Sequence, residues 1–132
     1  MIDIEQELFD LLSGVLEDAY PGIFVTGEEV NAPSEFPCVS IVEADNYTKV
    51  STQDSGSSEN HAVLMYEVTV FSNKVSGRKS QCREIALTVS DFFQSKGFAR
   101  LSMTPAPGGV SYYRLVCRFT ASVSADQKIF RR

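Results

Sequence analysis

Two segments of the chain repeat apolar residues at the three- and four-residue steps of an amphipathic α-helix. Residues 3–19 carry one broad apolar stripe, made of Ile4, Leu8, Leu11, Leu12, Val15, Leu16 and Ala19. Asp3 and Gln6 have the spacing of a near-capping box at its start, and Tyr20-Pro21-Gly22 predicts its end. Residues 77–96 predict a second helix, whose apolar positions and terminal glycine are Cys82, Ile85, Ala86, Val89, Phe92, Phe93 and Gly97.

Five other segments have the apolar content or the two-residue alternation of β-strands. They are residues 23–30, 38–45, 61–72, 98–104 and 111–123. The alternation is clearest in the third, where one face consists of Ala62, Leu64, Tyr66, Val68 and Val70. Its other face is also half apolar, with His61, Val63, Met65, Glu67, Thr69 and Phe71. A strand with two partly apolar faces needs cover on both, from a loop, a helix or another subunit.

The predicted order of elements is α-β-β-β-α-β-β, which is typical of an α+β fold. We expect a single domain over residues 1–125, with two helices packed on one face of a mostly antiparallel sheet. The polar residues 46–60 predict a mobile loop, and residues 126–132 a C-terminal tail.

Length and composition place this domain among ordinary globular proteins. A chain of 132 residues with 43% hydrophobic residues has enough apolar surface for one core. No apolar run approaches the roughly 20 residues that a membrane-spanning helix needs. The N-terminus is acidic and lacks the features of a signal peptide, so we expect the protein to remain in the cytoplasm where it is made.

The two halves of the chain carry opposite charge. Residues 1–60 contain thirteen acidic residues and one lysine, and residues 61–132 contain eleven basic and four acidic residues. The balances are −12 and +7, which together give the net charge of −5. Such asymmetry has two explanations: complementary surfaces that meet in an assembly, or halves that neutralise each other within one fold.

No motif in the chain predicts catalysis, a metal site or a bound cofactor. The three cysteines are far apart, which favours buried, reduced thiols over a zinc site: Cys38, Cys82 and Cys117. His61 with Asp54 and Glu59 has the residue types of a general base and its orienting groups, but the polar loop cannot hold the required geometry. Residues 76–80 only partly match a phosphate-binding loop. We therefore expect neither an enzyme nor a cofactor.

Residues 111–123 also carry a stripe of arginine and aromatic residues. Arg114 and Arg118 alternate with Tyr112 and Val116, a pattern that nucleic-acid-binding surfaces use. With an isoelectric point near 4.8, the chain favours a protein interface or a solvated face over direct DNA binding.

Several stretches of the chain have recognisable motifs without catalytic residues. They read APSEFPCVSIVEADNYT, SSENHAVLMYEVTVFSNKVSG, KGFAR and YYRLVCRFTASV, with KIFRR near the C-terminus. Together they span most of the chain and resemble a family of small phage and prophage proteins, the tail-terminator or tail-completion proteins of long-tailed bacteriophages. The element order and the chain length are also similar to those of this family.

The resemblance implies a structural virion protein in the tail or neck, made in the cytoplasm of a bacterial host. Such a subunit would form a ring, expected to be a hexamer, that caps the tail tube and joins it to the head. Its partners would be other copies of itself, the tail-tube protein and a head-completion or neck protein. DNA would only pass through the channel, without specific binding, and no membrane would be involved.

We expect the assembly interface to use the polar loop, the exposed strand faces and the C-terminal tail. The candidate contact residues are Tyr47, Lys49, Asp54, Glu59, Met65, Glu67, Phe71, Arg114, Arg118, Ile129, Phe130 and Arg131. Two alternatives remain open. One is a head-closure or head–tail joining protein of the neck, and the other is a small α+β ligand-binding or regulatory domain.

Overall fold

The computed structural model describes residues 4–30, 33–48, 61–106 and 112–124. Two helices and five strands follow the predicted order: α1 (Glu5–Ala19), β1 (Phe24–Thr26), β2 (Cys38–Thr48), β3 (His61–Ser72), α2 (Arg78–Ser95), β4 (Ala99–Ala106) and β5 (Tyr113–Ser124). The α+β class and the order α-β-β-β-α-β-β are therefore confirmed.

The five strands form one mostly antiparallel sheet in the order β1-β2-β3-β5-β4. Only β1 runs parallel to its neighbour, through three residue pairs with β2. Strand β3 lies in the centre and pairs along its length with β2 on one side and β5 on the other. On its face away from the helices, Phe71 is buried beside Tyr112 and Arg114, whereas Met65 and Glu67 stay partly exposed.

Both helices contribute to the core that covers the β3 face predicted from alternation. Leu8, Leu12 and Leu16 of α1 are buried in it. Helix α2 buries the six apolar residues predicted for it, and its Phe93 ring stacks on Phe119 of β5 with ring centres 4.4 Å apart. Leu11 is 44% exposed, so the buried stripe of α1 is narrower than its apolar pattern predicts.

The ends of α2 depend on glycine. Gly77, the N-cap residue, has a φ of +83°, and Gly97, which follows the helix, has a φ of +92°. Residues with a Cβ adopt this left-handed conformation at a cost. The amide of Phe98 then donates to the carbonyl of Phe93 at 2.9 Å, which closes the helix and sends the chain into β4.

Several boundaries differ from the sequence-based expectation. Strand β1 has only three residues, whereas β2 continues to Thr48 because its last three residues pair with residues 62–64 of β3. The first residues assigned to the polar loop thus belong to a strand, and residues 49–60 lie outside the described part of the chain. Strand β4 continues past the expected end at residue 104 and includes Pro105, since an edge strand tolerates a missing amide donor.

The start of α1 also differs. Ile4 is the N-cap residue and makes no capping hydrogen bond through its side chain. Asp3, the expected cap, lies outside the described residues. Across the described ranges, neither helix is long and apolar enough to cross a membrane.

Candidate functional site

The face of the sheet opposite the helices carries five of the predicted contact residues. We call it the open face. The strand register aligns Glu67 with Val42 and Arg118, and aligns Phe71 with Cys38 and Arg114. The five residues on this face are Met65, Glu67, Phe71, Arg114 and Arg118. Tertiary structure thus brings together side chains that lie about fifty positions apart in the sequence.

Phe71 belongs to this face but is not exposed on it. Its side chain is fully buried within the subunit, against the ring of Tyr112 with ring centres 5.9 Å apart. The guanidinium carbon of Arg114 lies 5.7 Å from the centre of the Phe71 ring, and the ring centres of Phe36 and Tyr112 are 5.8 Å apart. The Phe71 ring therefore packs against the guanidinium of Arg114 and has no exposed surface that a partner could contact.

Glu67 and Arg118 form an ion pair across β3 and β5. Both Nε and Nη2 of Arg118 lie 3.1 Å from Oε2 of Glu67. The side chains are 32% and 45% exposed, so the pair stabilises the fold by no more than about 1 kcal/mol. Within the described residues, the second carboxylate oxygen of Glu67 takes no hydrogen bond.

A cavity of about 310 Å³ lies on the open face beside this pair. Its wall is formed in part by residues 29–30. The segment before them is held by a hydrogen bond that the Ser40 hydroxyl donates to the carbonyl of Glu28 at 2.7 Å. The lining residues come from four parts of the chain: Glu29, Val30, Ser40, Val42, Glu43, Ala44, Glu67, Thr69 and Arg114.

Arg114 lines the cavity, but its Nε atom is buried away from it. Its Nε atom is inaccessible to solvent and has no hydrogen-bond acceptor among the described residues. A buried donor without an acceptor costs about 1 to 3 kcal/mol, and more if the group is charged. The lining has three glutamates and one arginine, a net charge of −2. The charge of Glu67 is partly balanced by its ion pair with Arg118, which does not line the cavity.

The remaining predicted contact residues are less well placed or lie beyond the described chain. Tyr47 pairs in register with Val63 near the end of β2. The other six fall in residues 49–60 and 125–132, outside the described ranges: Lys49, Asp54, Glu59, Ile129, Phe130 and Arg131.

The three cysteines are buried, as the sequence predicts. Burial raises the pKa of Cys82 to about 12, and the pKa values of Cys38 and Cys117 to about 11. Cys82 donates weakly to the carbonyl of Val70 at 3.5 Å. No cluster of metal-ligating side chains occurs in the four described ranges. His61 begins β3, and the two acidic residues considered with it lie outside these ranges.

Sequence reasoning missed part of the open face. Glu29, Val30, Ser40 and Val42 line the cavity, yet none was expected to form a site. The alternation of residues 38–42 was a usable signal, because Ser40 and Val42 share a face once Val39 and Ile41 are assigned to the core. No signal indicated that residues 29–30 pack beside them. No family model matches the sequence, and a search of curated proteins finds no significant match.

Proposed function

We propose that this chain is a structural subunit of a long-tailed bacteriophage, a tail terminator that assembles into a ring. The ring caps the tail tube and provides the surface that meets the head. The proposal is supported by the resemblance of residues 31–72 and 97–132 to that family and by the α+β fold with the expected element order.

The observation that carries the proposal is the placement of exposed charge on the two helices. Four carboxylates on α1 are exposed: Glu7, Asp10, Glu17 and Asp18. Lys79 and Arg83, in the first turns of α2, are also exposed. Within the described chain, none of these six residues forms an ion pair. The exposed acidic residues of α1 and basic residues of α2 can therefore form ion pairs with another molecule.

The helices also lie over different parts of the sheet. On the same face, α1 contacts β2, whereas α2 contacts β3, β5 and β4, and the two helices also contact each other. A ring needs a head-to-tail contact in which two different patches of each subunit meet. An acidic patch on α1 and a basic patch at the start of α2 fulfil that requirement.

The cavity on the open face also favours an assembly protein over a domain that binds a small apolar molecule. Small-molecule pockets are lined predominantly by apolar and aromatic side chains. Six of the nine residues lining this cavity are polar or charged, and the three apolar ones are Val30, Val42 and Ala44.

The first experiment is negative-stain electron microscopy of the full chain, alone and with the tail-tube protein of the same virion. We expect annular particles, with a mass of roughly six times the 14.6 kDa subunit by sedimentation for a hexamer. Raising the salt shortens the screening length from about 10 Å at 0.1 M to about 3 Å at 1 M. The rings should therefore weaken as salt rises.

Charge reversal provides a sharper test of the head-to-tail contact. One variant carries Glu7→Lys, Asp10→Lys, Glu17→Lys and Asp18→Lys on α1, and the other carries Lys79→Glu and Arg83→Glu on α2. Each alone places like charges at every contact and should not form rings. An equimolar mixture should form them, because alternating subunits restore opposite charges at every contact of an even-numbered ring.

Two results would contradict the proposal. The first is the absence of rings both in solution and on tail tubes. The second is binding to the portal-side connector in place of the tail tube, which identifies a head-closure subunit of the neck. Rings that form but persist unchanged in both charge-reversed variants would reject the electrostatic contact only.

A further inference from the structure

Two segments of the chain carry charges of one sign only. Helix α1 has five acidic residues and no basic residue: Glu5, Glu7, Asp10, Glu17 and Asp18. Residues 73–83 form the turn before α2 and the start of that helix, and they have four basic residues and no acidic residue: Lys74, Arg78, Lys79 and Arg83. The balances of −5 and +4 make these two segments attract each other when they belong to different subunits.

Both segments also expose large apolar side chains. Five such residues in the described ranges are at least 40% exposed, and three of them belong to these segments: Leu11 and Val15 on α1, and Val75 in the turn before α2. Val75 is 95% exposed, so its side chain does not pack on its own subunit. Association of the two segments would therefore bury apolar surface as well as pair opposite charges.

The turn that carries Val75 is fixed by hydrogen bonds at both ends. The buried hydroxyl of Ser72 donates to Oε1 of Gln81 in α2 and accepts from the amide of Lys74 at 3.3 Å. The amide of Gln81 in turn donates to the carbonyl of Gly77 at 2.9 Å. Because the turn is already ordered, little conformational entropy is lost when Val75 contacts a partner.

The outer surface of α1 has a hole of the kind that receives a side chain when helices pack. Such a hole is bounded by residues i, i+3, i+4 and i+7, and all four are exposed here: Leu11, Gly14, Val15 and Asp18. Apart from its chain neighbours and the helix backbone, a Cβ atom added at Gly14 would have no atom within 4 Å. The hole therefore has apolar sides, no side chain at Gly14 and a carboxylate at its end, which suits a valine between basic residues.

We propose that Val75 of one subunit inserts into this α1 hole of the next copy of the chain. Lys74 and Lys79 precede and follow Val75, and they pair with carboxylates beside the hole, among them Glu17 and Asp18. Because the turn and the hole are different surfaces, the contact repeats from head to tail. This inference rests on the proposed ring function and assigns the residues at the centre of its subunit contact.

Disulfide cross-linking tests the contact directly, in solution and on tail tubes. A disulfide forms only where the two Cα atoms lie within about 7 Å, and the native cysteines are buried. With copper phenanthroline as the oxidant, we expect a mixture of the Gly14→Cys and Val75→Cys chains to give covalent dimers. A chain that carries both substitutions should give a ladder up to the full ring. The matched control pairs Gly14→Cys with Leu101→Cys, an exposed residue outside both segments, and should give neither product.

Val75→Ser removes the apolar side chain and leaves every charge in place. We expect the subunit concentration needed for rings to rise at least tenfold, at 0.1 M and at 1 M salt alike, because an apolar contact is not screened. Leu101→Ser is the matched control and should change this concentration less than twofold. Circular dichroism shows that each variant is folded. Equal effects of the two serine variants, or equal cross-linking of the two cysteine pairs, would overturn the proposal.

The outcomes for the contact and for the ring are distinguishable. Rings that form without the cross-link between positions 14 and 75 would reject the Val75 contact and leave the ring function in place. Cross-links without rings or tail capping would support the contact between copies and reject the terminator function. The absence of both would reject both.

Discussion

Replacing Phe71 with alanine tests whether this residue is part of the subunit core or part of an interface. Its side chain is fully buried, packs on Tyr112 and lies under the guanidinium of Arg114. Truncating a buried phenylalanine to alanine costs about 3 to 5 kcal/mol, because apolar contacts are lost and a cavity remains. The aromatic and cation–π contacts place Phe71 towards the upper part of that range.

A loss of this size is a large fraction of the free energy of unfolding, which is about 5 to 15 kcal/mol for a typical domain. Urea denaturation followed by circular dichroism measures it directly. With a slope of about 2 kcal/mol per molar urea, the midpoint should fall by about 2 M. Phe71→Leu, which retains much of the apolar volume, should cost about 1 to 2 kcal/mol and keep the subunit folded.

Val75→Ala is the matched control, since Val75 is 95% exposed and its truncation should change stability by less than about 0.5 kcal/mol. A loss below about 1 kcal/mol for Phe71→Ala would refute the reasoning. Such a result would mean that the Phe71 side chain is exposed in the isolated subunit and becomes buried only when subunits associate.

Three further predictions concern backbone strain, thiol burial and a surface ion pair. Gly14→Ala, in the exposed middle of α1, should raise the free energy of unfolding by about 0.5 to 1 kcal/mol, whereas Gly77→Ala should lower it by about 1 kcal/mol because its φ is +83°. The buried thiols should react with a thiol reagent at pH 8 only after unfolding in urea. Burial raises the pKa values of Cys38, Cys82 and Cys117 from the ordinary 9.0 to about 11 or 12. The neutral thiols therefore contribute stability that is full below pH 9 and is lost as the pH rises through 11 to 12. Arg118→Gln should change stability by less than about 1 kcal/mol, and less still in 1 M salt, because its ion pair with Glu67 is partly exposed.

The secondary structure could be predicted wherever local spacing reflects burial. The alternation of β3 identified the core face, and the three- and four-residue steps of α2 identified all six of its predicted buried positions. The pattern failed where burial depends on distant residues. Leu11 has the spacing of the buried stripe of α1, yet it is 44% exposed because the sheet and α2 cover only part of that helix.

The strand boundaries show the same division. A strand ends where its partner stops pairing, and the partner is not a local property. Thr48 belongs to β2 because Ala62 lies opposite it, and Pro105 belongs to β4 because that strand is at the edge of the sheet.

The candidate site depended still more on tertiary structure. The sequence by itself determined the two helices, the order of the elements, the helix-facing side of β3 and the presence of opposite charges in the two halves of the chain. Only the tertiary structure decided that Phe71 is buried, that Nε of Arg114 has no acceptor among the described residues, and that Glu29 and Glu67 line one cavity. The physical reason is that helical and strand periodicity repeat over a few residues, whereas the cavity joins residues up to 85 positions apart, from Glu29 to Arg114, through the register of three strands.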